Sequence, residues 1–389
     1  MDYSDRHEIQ YTSSLSTSPV KSEINLSSFL FVCTIIILVL MGLITLYSAS
    51  YDEALRIGRD SSYFFMRQLV FALLGFISFK VISMVPLIFI KKATTPLLAI
   101  SLLFMILTIF TPLGIEKGGA KRWLGLGPLP SFQPSELLKV AIILFIAHII
   151  SSSKNKKRAL YVSLILIFIS FLLIVAQKDY STALVFMSVS LLVGIVGGLS
   201  FFLFASIALI FSIPALIFLL IEPYRIKRVV SFLFPSIDPT GMNYQVTKSL
   251  EAIKSGGLFG KGLGQGLYKL GIIPEVHSDF IFASFGEEMG LIGIIFLLLL
   301  LIFFTYMGLH IAIKEHSGDM FISLTSFGIT MMIIVSAIIN IAVVTSLLPP
   351  TGIPFPFFSQ GGTNLFVIIS ECGLLYRCMK EQERRGESW

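Results

Sequence analysis

Apolar runs long enough to cross a bilayer recur along this 389-residue chain, and they constrain its fold more than any other feature. Spanning the hydrocarbon core as a helix takes about 20 apolar residues, and about ten runs qualify. They fall at 28–48, 69–90, 94–111, 135–151, 159–176, 182–196, 200–221, 288–312, 321–347 and 364–379. The sixth is short and is followed by Gly197-Gly198. Lipid offers backbone groups no partners, so such segments must satisfy themselves as helices. The expected fold class is an all-α polytopic membrane protein with about ten transmembrane helices, and a long extracytoplasmic loop between helices seven and eight. Composition agrees: 55% of residues are hydrophobic and 13% charged, about half the charge that a soluble domain carries.

Short loops set the orientation. Lys91-Lys92, the basic run 154–158 and the tail 377–385 alternate with acidic or mixed segments, which places these basic segments in the cytoplasm. An even number of spans puts both termini there too. The expected organisation is a polar cytoplasmic tail (1–27), one membrane domain (28–379) and a short cytoplasmic tail (380–389). Outer loops are expected at 49–68, 112–134, 222–287 and 348–363. The first apolar run is longer than a signal-peptide core and lacks an A-x-A exit, so no cleavable signal is expected. Cys33, Cys372 and Cys378 form no CxxC and no even-numbered framework, which argues against a disulfide scaffold or a zinc site. The outer loops carry about as many Lys and Arg as the inner ones, and long loops translocate regardless of charge. An anionic ligand outside the membrane would account for that positive charge; no nucleic-acid partner is expected.

The loop before the fourth run contains Lys117, Lys121, Arg122 and Trp123 among glycines and prolines. Trp favours the membrane interface and Arg binds phosphate oxygens through two parallel donors, so the set suits a lipid phosphate head group. The same residues would equally form an aromatic anchor with snorkelling bases. Gln133, Pro134, Ser135 and Glu136 read as a helix start. Lys139 lies one turn further, paired with Glu136 or lining a polar site at the outer end of the bundle. Residues 177–182 read as a tight polar turn, in which Lys178 and Asp179 would face the same cavity as Glu136. Residues 224–233 form a basic amphipathic stretch, and 244–254 a short amphipathic helix. Lys261 stands in a glycine-rich run, 255–266, that is either a weak phosphate cradle or a hinge; it matches neither a Walker A loop nor a dinucleotide fingerprint.

The stretch PEVHSDFIFASFGEEMG (274–290) passes from polar loop into an apolar helix and carries Glu275, His277, Asp279, Glu287 and Glu288. Ser278 or Asp279 would cap that helix. Alternatively Asp279 would act as a general base or a divalent-metal ligand, with Glu275 and His277 orienting substrate; a satisfied loop histidine is the plainer account of His277. The last outer loop, rich in Pro and Phe, would line a cavity and present backbone donors from Ser359, Gly361 and Gly362.

Taken together and in order, GGAKRWL, QPSELLK, SGGLFGKGLGQG, PEVHSDFIFASFGEEMG and GIPFPFFSQGG resemble the shape, elongation, division and sporulation (SEDS) family that includes FtsW and RodA. The resemblance covers residues 28–377 and implies a ten-span peptidoglycan glycosyltransferase that polymerises lipid II at the outer leaflet. It implies an essential carboxylate at Asp279, with Arg122, Trp123, Glu136 and Lys139 matching the family's other motifs. Gln133, Lys261, Glu275, His277, Ser359 and Gly361 are the further candidates for substrate binding. The segments YSASYDEAL (47–55) and YFFMRQ (63–68) lean toward the division branch, FtsW, rather than the elongation branch, RodA. Gln360 and Phe355 depart from the family's usual Tyr and Leu.

The expected chemistry is attack of a glycan C4 hydroxyl on an anomeric carbon, with the lipid pyrophosphate leaving. Asp279 would take the proton or hold a divalent ion, Mg or Mn, while Arg122 and Lys261 would stabilise the leaving charge. The implied partners are lipid II, the growing glycan strand, a class B penicillin-binding protein transpeptidase and other division proteins. The expected location is the bacterial inner membrane at the septum. The rival readings are a lipid II flippase and a division scaffold. A flippase would carry ionisable groups near the membrane midplane; in the sequence they gather outside, Lys80 excepted.

Overall fold

The computed structural model describes residues 26–385, apart from 118, 126, 128–129, 201, 203–205, 207–241 and 317. The polar N-terminal tail, nearly all of the expected seventh span and the basic stretch 224–233 lie outside the described residues. The elements in order are α1 (Leu26–Arg56), α2 (Tyr63–Met84), α3 (Leu87–Phe110), β1 (Gly114–Lys117), β2 (Ala120–Leu124), α4 (Pro134–Ser152), α5 (Lys156–Ala176) and α6 (Tyr180–Val196). They continue with α7 (Met242–Gly256), α8 (Ile281–Lys314), α9 (Met320–Val344) and α10 (Gly362–Arg384).

Among the described residues, 7 helices are long and apolar enough to span a membrane: α1 to α5, α8 and α9. Helix α6 is apolar but has only 17 residues. Helix α10 carries too much charge to qualify by composition, yet it is largely buried and runs along α2. Small residues let those two backbones meet: a Cβ at Gly373 would stand 2.8 Å from the Phe79 Cα. The core is a single cluster of Phe, Ile, Leu and Val drawn from every spanning helix.

Several boundaries differ from the sequence expectation, each for a local reason. Helix α1 runs to Arg56, so the first residues of the 49–68 loop are helical, and Arg56 pairs with Asp52 one turn back. The expected run 69–90 is divided at Pro86: Val85 is extended, as the residue before a proline prefers, and α3 begins at Leu87. Lys91 and Lys92 therefore lie within α3 rather than in a loop. The 112–134 loop contains an antiparallel hairpin, so the fold is helical but not purely so. Gly119 turns it with φ +74°. Helix α8 starts at Ile281, which takes Glu287 out of the expected outer loop 222–287 and places it, with Glu288, on a buried stretch of helix. Helix α7 answers the amphipathic stretch 244–254.

Helix α8 breaks at Gly290 (φ 63°, ψ −168°), and the glycine-rich run repairs the break. In an unbroken helix the carbonyls of Glu287 and Glu288 would accept from Leu291 and Ile292. Here they accept from the N–H groups of Lys261 and Gly262, both at 3.0 Å, while Leu291 and Ile292 donate to Gly257 and Leu258 at 2.9 and 3.1 Å. The spliced segment crosses so closely that a Cβ at Gly260 would collide with the Glu288 carbonyl oxygen. No freed backbone group is left bare, as burial demands.

Opposite ends of the bundle are tied differently. At one end Ser28 Oγ donates to Glu383 at 2.6 Å, Arg377 Nε to the Val85 carbonyl at 2.9 Å, and Lys91 pairs with Asp319 at 3.0 Å. Both ends of the described chain thus lie on one side. At the other end lie the loops 57–62, 177–179, 257–280 and 345–361 and the described part of 111–133, and some of their residues form the candidate site.

Candidate active site

The loops that converge at that end enclose a cleft of about 470 Å³. Its walls come from α2, the hairpin, the segment before α4, the turn 275–278 and the loop entering α10. Of the residues expected from sequence, Trp123, Gln133, Glu275, His277 and Gly361 line it. Strand alternation explains why Trp123 faces the cleft while Arg122 does not. Arg122 instead turns to the α5–α6 turn, where it donates to the Lys178 carbonyl at 2.7 Å and approaches Asp179 at 3.7 Å. The polar turn 177–182 is therefore the hairpin's anchor.

Asp279 sits beside the cleft, half-buried, between cleft-lining Ser278 and the start of α8. Neither Ser278 nor Asp279 is the helix cap; Phe280 holds that position with no side-chain cap bond. The Asp279 backbone is clamped by Asn340, whose Nδ2 donates to the carbonyls of Asp279 (2.7 Å) and Ile353 (2.8 Å). Its carboxylate faces Gly352, where a Cβ would stand 3.8 Å from Oδ2. Ser359 proves to be a second clamp rather than an open donor. Its N–H donates to the Phe355 carbonyl, and its hydroxyl donates to the Ser278 carbonyl at 2.5 Å while accepting from the Phe355 N–H at 2.7 Å. Gly361 spends its N–H on Gln68 Oε1 at 3.2 Å. The loop 345–361 thus fixes the Asp279 turn in place.

Three other expected residues lie elsewhere. Lys261 pairs with the fully buried Glu287 at 2.7 Å, and the N–H groups of 260–262 serve backbone carbonyls. Close packing accounts for Gly256, Gly260 and Gly266, and left-handed backbone for Gly257, Gly262 and Gly264, while the N–H groups of 260–262 are spent on carbonyls and not left for a phosphate. Beside it Lys269 pairs with Glu288, with Ser48 hydrogen-bonded to both. Glu136 and Lys139 form the expected pair at 2.9 Å within α4. Asn364, which also lines the cleft, donates to Glu136 at 2.7 Å, so the pair lies directly beneath the cleft.

His277 is buried, its ring 4.9 Å from that of Phe64. Burial holds its pKa below the ordinary value, although Glu275, Glu53 and a hydrogen bond with Gln360 pull the other way. Sequence reading missed Arg67, an exposed α2 residue lining the cleft with no hydrogen bond or ion pair among the described residues. In the sequence YFFMRQ leans toward the division branch as a segment, and nothing in it singles out its arginine. It also missed Asn340 and Glu371, each a lone polar residue inside an apolar run. Glu136 and Glu371 are buried within the bundle and Lys139 is partly buried beside them, so ionisable groups are not confined to the loops. Their placement no longer argues against a flippase. Among the described residues no three His, Cys, Asp or Glu side chains converge to hold a metal. Asp279 suits one protein ligand of a Mg or Mn ion whose other ligands are substrate phosphates and water, a common arrangement for Mg.

The family model described as "Cell cycle protein", for FtsW, RodA and SpoVE, matches residues 28–384. A probable peptidoglycan glycosyltransferase FtsW from Borreliella burgdorferi is 37% identical over 92% of this chain and 98% of its own length. Stage V sporulation protein E of Bacillus subtilis is 36% identical over 89% of this chain and 95% of its own. Among solved structures, a chain from a peptidoglycan synthase complex that coordinates polymerization and crosslinking superposes with TM-score 0.75 at 25% identity, covering 91% of this chain and 98% of that one. RodA of Thermus thermophilus shares the fold with TM-score 0.67 at 23% identity, over 91% and 96% of the two chains.

Proposed function

The chain belongs to the cell cycle protein family of FtsW, RodA and SpoVE, and from that premise we propose that it is a multi-pass membrane peptidoglycan glycosyltransferase that polymerises lipid II during division. The observation that carries this reading is full-length similarity to FtsW-named glycosyltransferases, with Trp123, Gln133, Glu275, His277 and Gly361 lining one cleft beside Asp279.

In the proposed reaction Asp279 accepts the proton of the attacking C4 hydroxyl, and the pyrophosphate leaves from the opposite face of the sugar, inverting it. Trp123 offers a stacking face and Glu275 a hydrogen-bond acceptor for saccharide in the cleft. Arg67 takes the pyrophosphate role first assigned to Arg122 and Lys261, because both of those are already paired within the protein. Arg122, Glu136, Lys139 and Lys261 act through the positions of their partners. In the alternative role, Asp279 would be the protein ligand of a Mg or Mn ion, which would supply positive charge to the leaving phosphates. The proposed setting is the bacterial inner membrane at the septum, both termini cytoplasmic. The proposed partners are a class B penicillin-binding protein transpeptidase and other division proteins.

The test is glycan polymerisation from purified lipid II in liposomes, with the cognate transpeptidase present. Wild type should form polymer, and folded, partner-bound Asp279→Asn should lose at least ~100-fold in rate, the scale of general-base catalysis. Equal polymer from both would remove Asp279 from the chemistry. Absence of polymer from both, with partner binding shown, would favour a flippase or scaffold.

A further inference from the structure

Helix α10 carries an acidic side chain where a membrane helix can least accommodate one. Glu371 lies about 14 Å along the axis from the outer end of the helix, near the middle of a ~30 Å hydrocarbon core. It is 3% exposed and makes no hydrogen bond or ion pair among the described residues. It lines a narrow chamber of about 30 Å³ together with Glu136, Lys139, Asn364, Thr182 and Ser336. That volume holds one or two waters at most. The charged groups facing Glu371 are Glu136 and Lys139, both on α4; α6 and α9 contribute the hydroxyls of Thr182 and Ser336 to the chamber.

The charges do not balance. Lys139 and Asn364 are both committed to Glu136, which leaves the Glu371 carboxylate with no counterion. A bare carboxylate in so dry a setting costs several kcal/mol, and the usual remedy is to take up a cation. A metal ion would sit against the Lys139 ammonium, whereas a proton adds no second centre of charge beside it.

We propose that this chamber is a binding site for one proton, carried by the Glu371 carboxyl in the core of the membrane. Asn364 borders both the chamber and the outer cleft. Loss of the proton would set Glu371 against Glu136 for Lys139, and so loosen the Asn364–Glu136 bond beneath the cleft. This site stands independently of the glycosyl transfer proposed above.

Glu371 also lines an apolar groove of about 390 Å³ between α2, α3, α4 and α10, next to the exposed Phe89. A membrane-soluble carbodiimide, dicyclohexylcarbodiimide, has a route to it there. The reagent reacts only with the acid: the carboxyl proton moves to a reagent nitrogen and the carboxyl oxygen adds to the central carbon. The adduct then rearranges to a stable N-acylurea that retains every atom of both reactants.

The test treats full-length protein in liposomes and reads the modified residue by peptide mass spectrometry, with Glu371→Gln as the unlabelled control. Glu371 should be labelled and Glu136 spared, with labelling falling at least about tenfold from about pH 6.5 to about pH 9.5. Replacing choline by sodium at constant ionic strength should change nothing; sodium protection would overturn the proton in favour of a metal ion. Infrared difference spectra over the same pH change supply a measurement free of reagent access. A protonated-carboxyl band present in wild type and absent in Glu371→Gln is expected, and its absence from wild type would overturn the site.

Discussion

Asn340 shows how much one side chain can decide. It is 1% exposed, and its amide holds two carbonyls from segments that are otherwise loops, those of Asp279 and Ile353. Asn340→Leu should cost about 2–4 kcal/mol, because two buried acceptors lose their donor. Polymerisation should fall roughly 10- to 100-fold at a permissive temperature, since an ångström of misplacement at the reacting group is enough. Thermal unfolding and kcat on the same preparation separate the two effects. His277 makes a different prediction. Its pKa is held below 6.5 in the folded chain, chiefly by burial, so the unfolded chain takes up the proton first as pH falls. Stability is full above that value and is lost on acidification below it. The drop in unfolding free energy between about pH 7.5 and about pH 5.5 should be smaller in His277→Gln, as denaturant melts at the two pH values would show. Asp279 and His277 could be picked out from sequence because they stand in a polar stretch. Glu371 could not, because the charged groups facing it on α4 lie more than two hundred positions earlier in the chain.

At the scale of elements, the junction of the glycine-rich run with the broken α8 is the most constrained feature. Gly260 has φ +78° and no room for a Cβ, whereas Gly264 has φ +80° and nothing within 4 Å. Gly260→Ala should therefore cost about 3 kcal/mol, the sum of left-handed strain and a backbone collision, and Gly264→Ala only about 1 kcal/mol. Equal losses in thermal unfolding would show that strain alone matters there. The run looked like a phosphate cradle or a hinge because glycine density reports close approach without saying what approaches. The answer came from another helix, which no local pattern describes. Helix starts were more readable: Pro134 after Gln133 and Glu136 in the first turn mark α4 where it begins.

On the scale of the molecule, the two ends of the bundle are organised for different purposes. Away from the cleft, Asp319 accepts from Lys91 of α3, from Arg385 beyond α10 and from the Phe321 N–H, so it fastens three segments together. Asp319→Ala should lower stability by about 2 kcal/mol, a lost cap plus partly exposed ion pairs. Polymerisation per folded molecule should be unchanged, because the Asp279 cleft is at the other end; a calorimetric melt with a single-turnover assay checks both. The sequence by itself determined the membrane class and most of the described helical spans, since bilayer thickness and unpaired backbone groups act on each segment separately. Only the tertiary structure decided that Arg122 and Lys261 are held by internal partners, that Ser359 and Asn340 brace Asp279, and that Glu371 is left uncompensated. Those outcomes depend on which charges meet across helices, and a buried charge is settled by its neighbours in space.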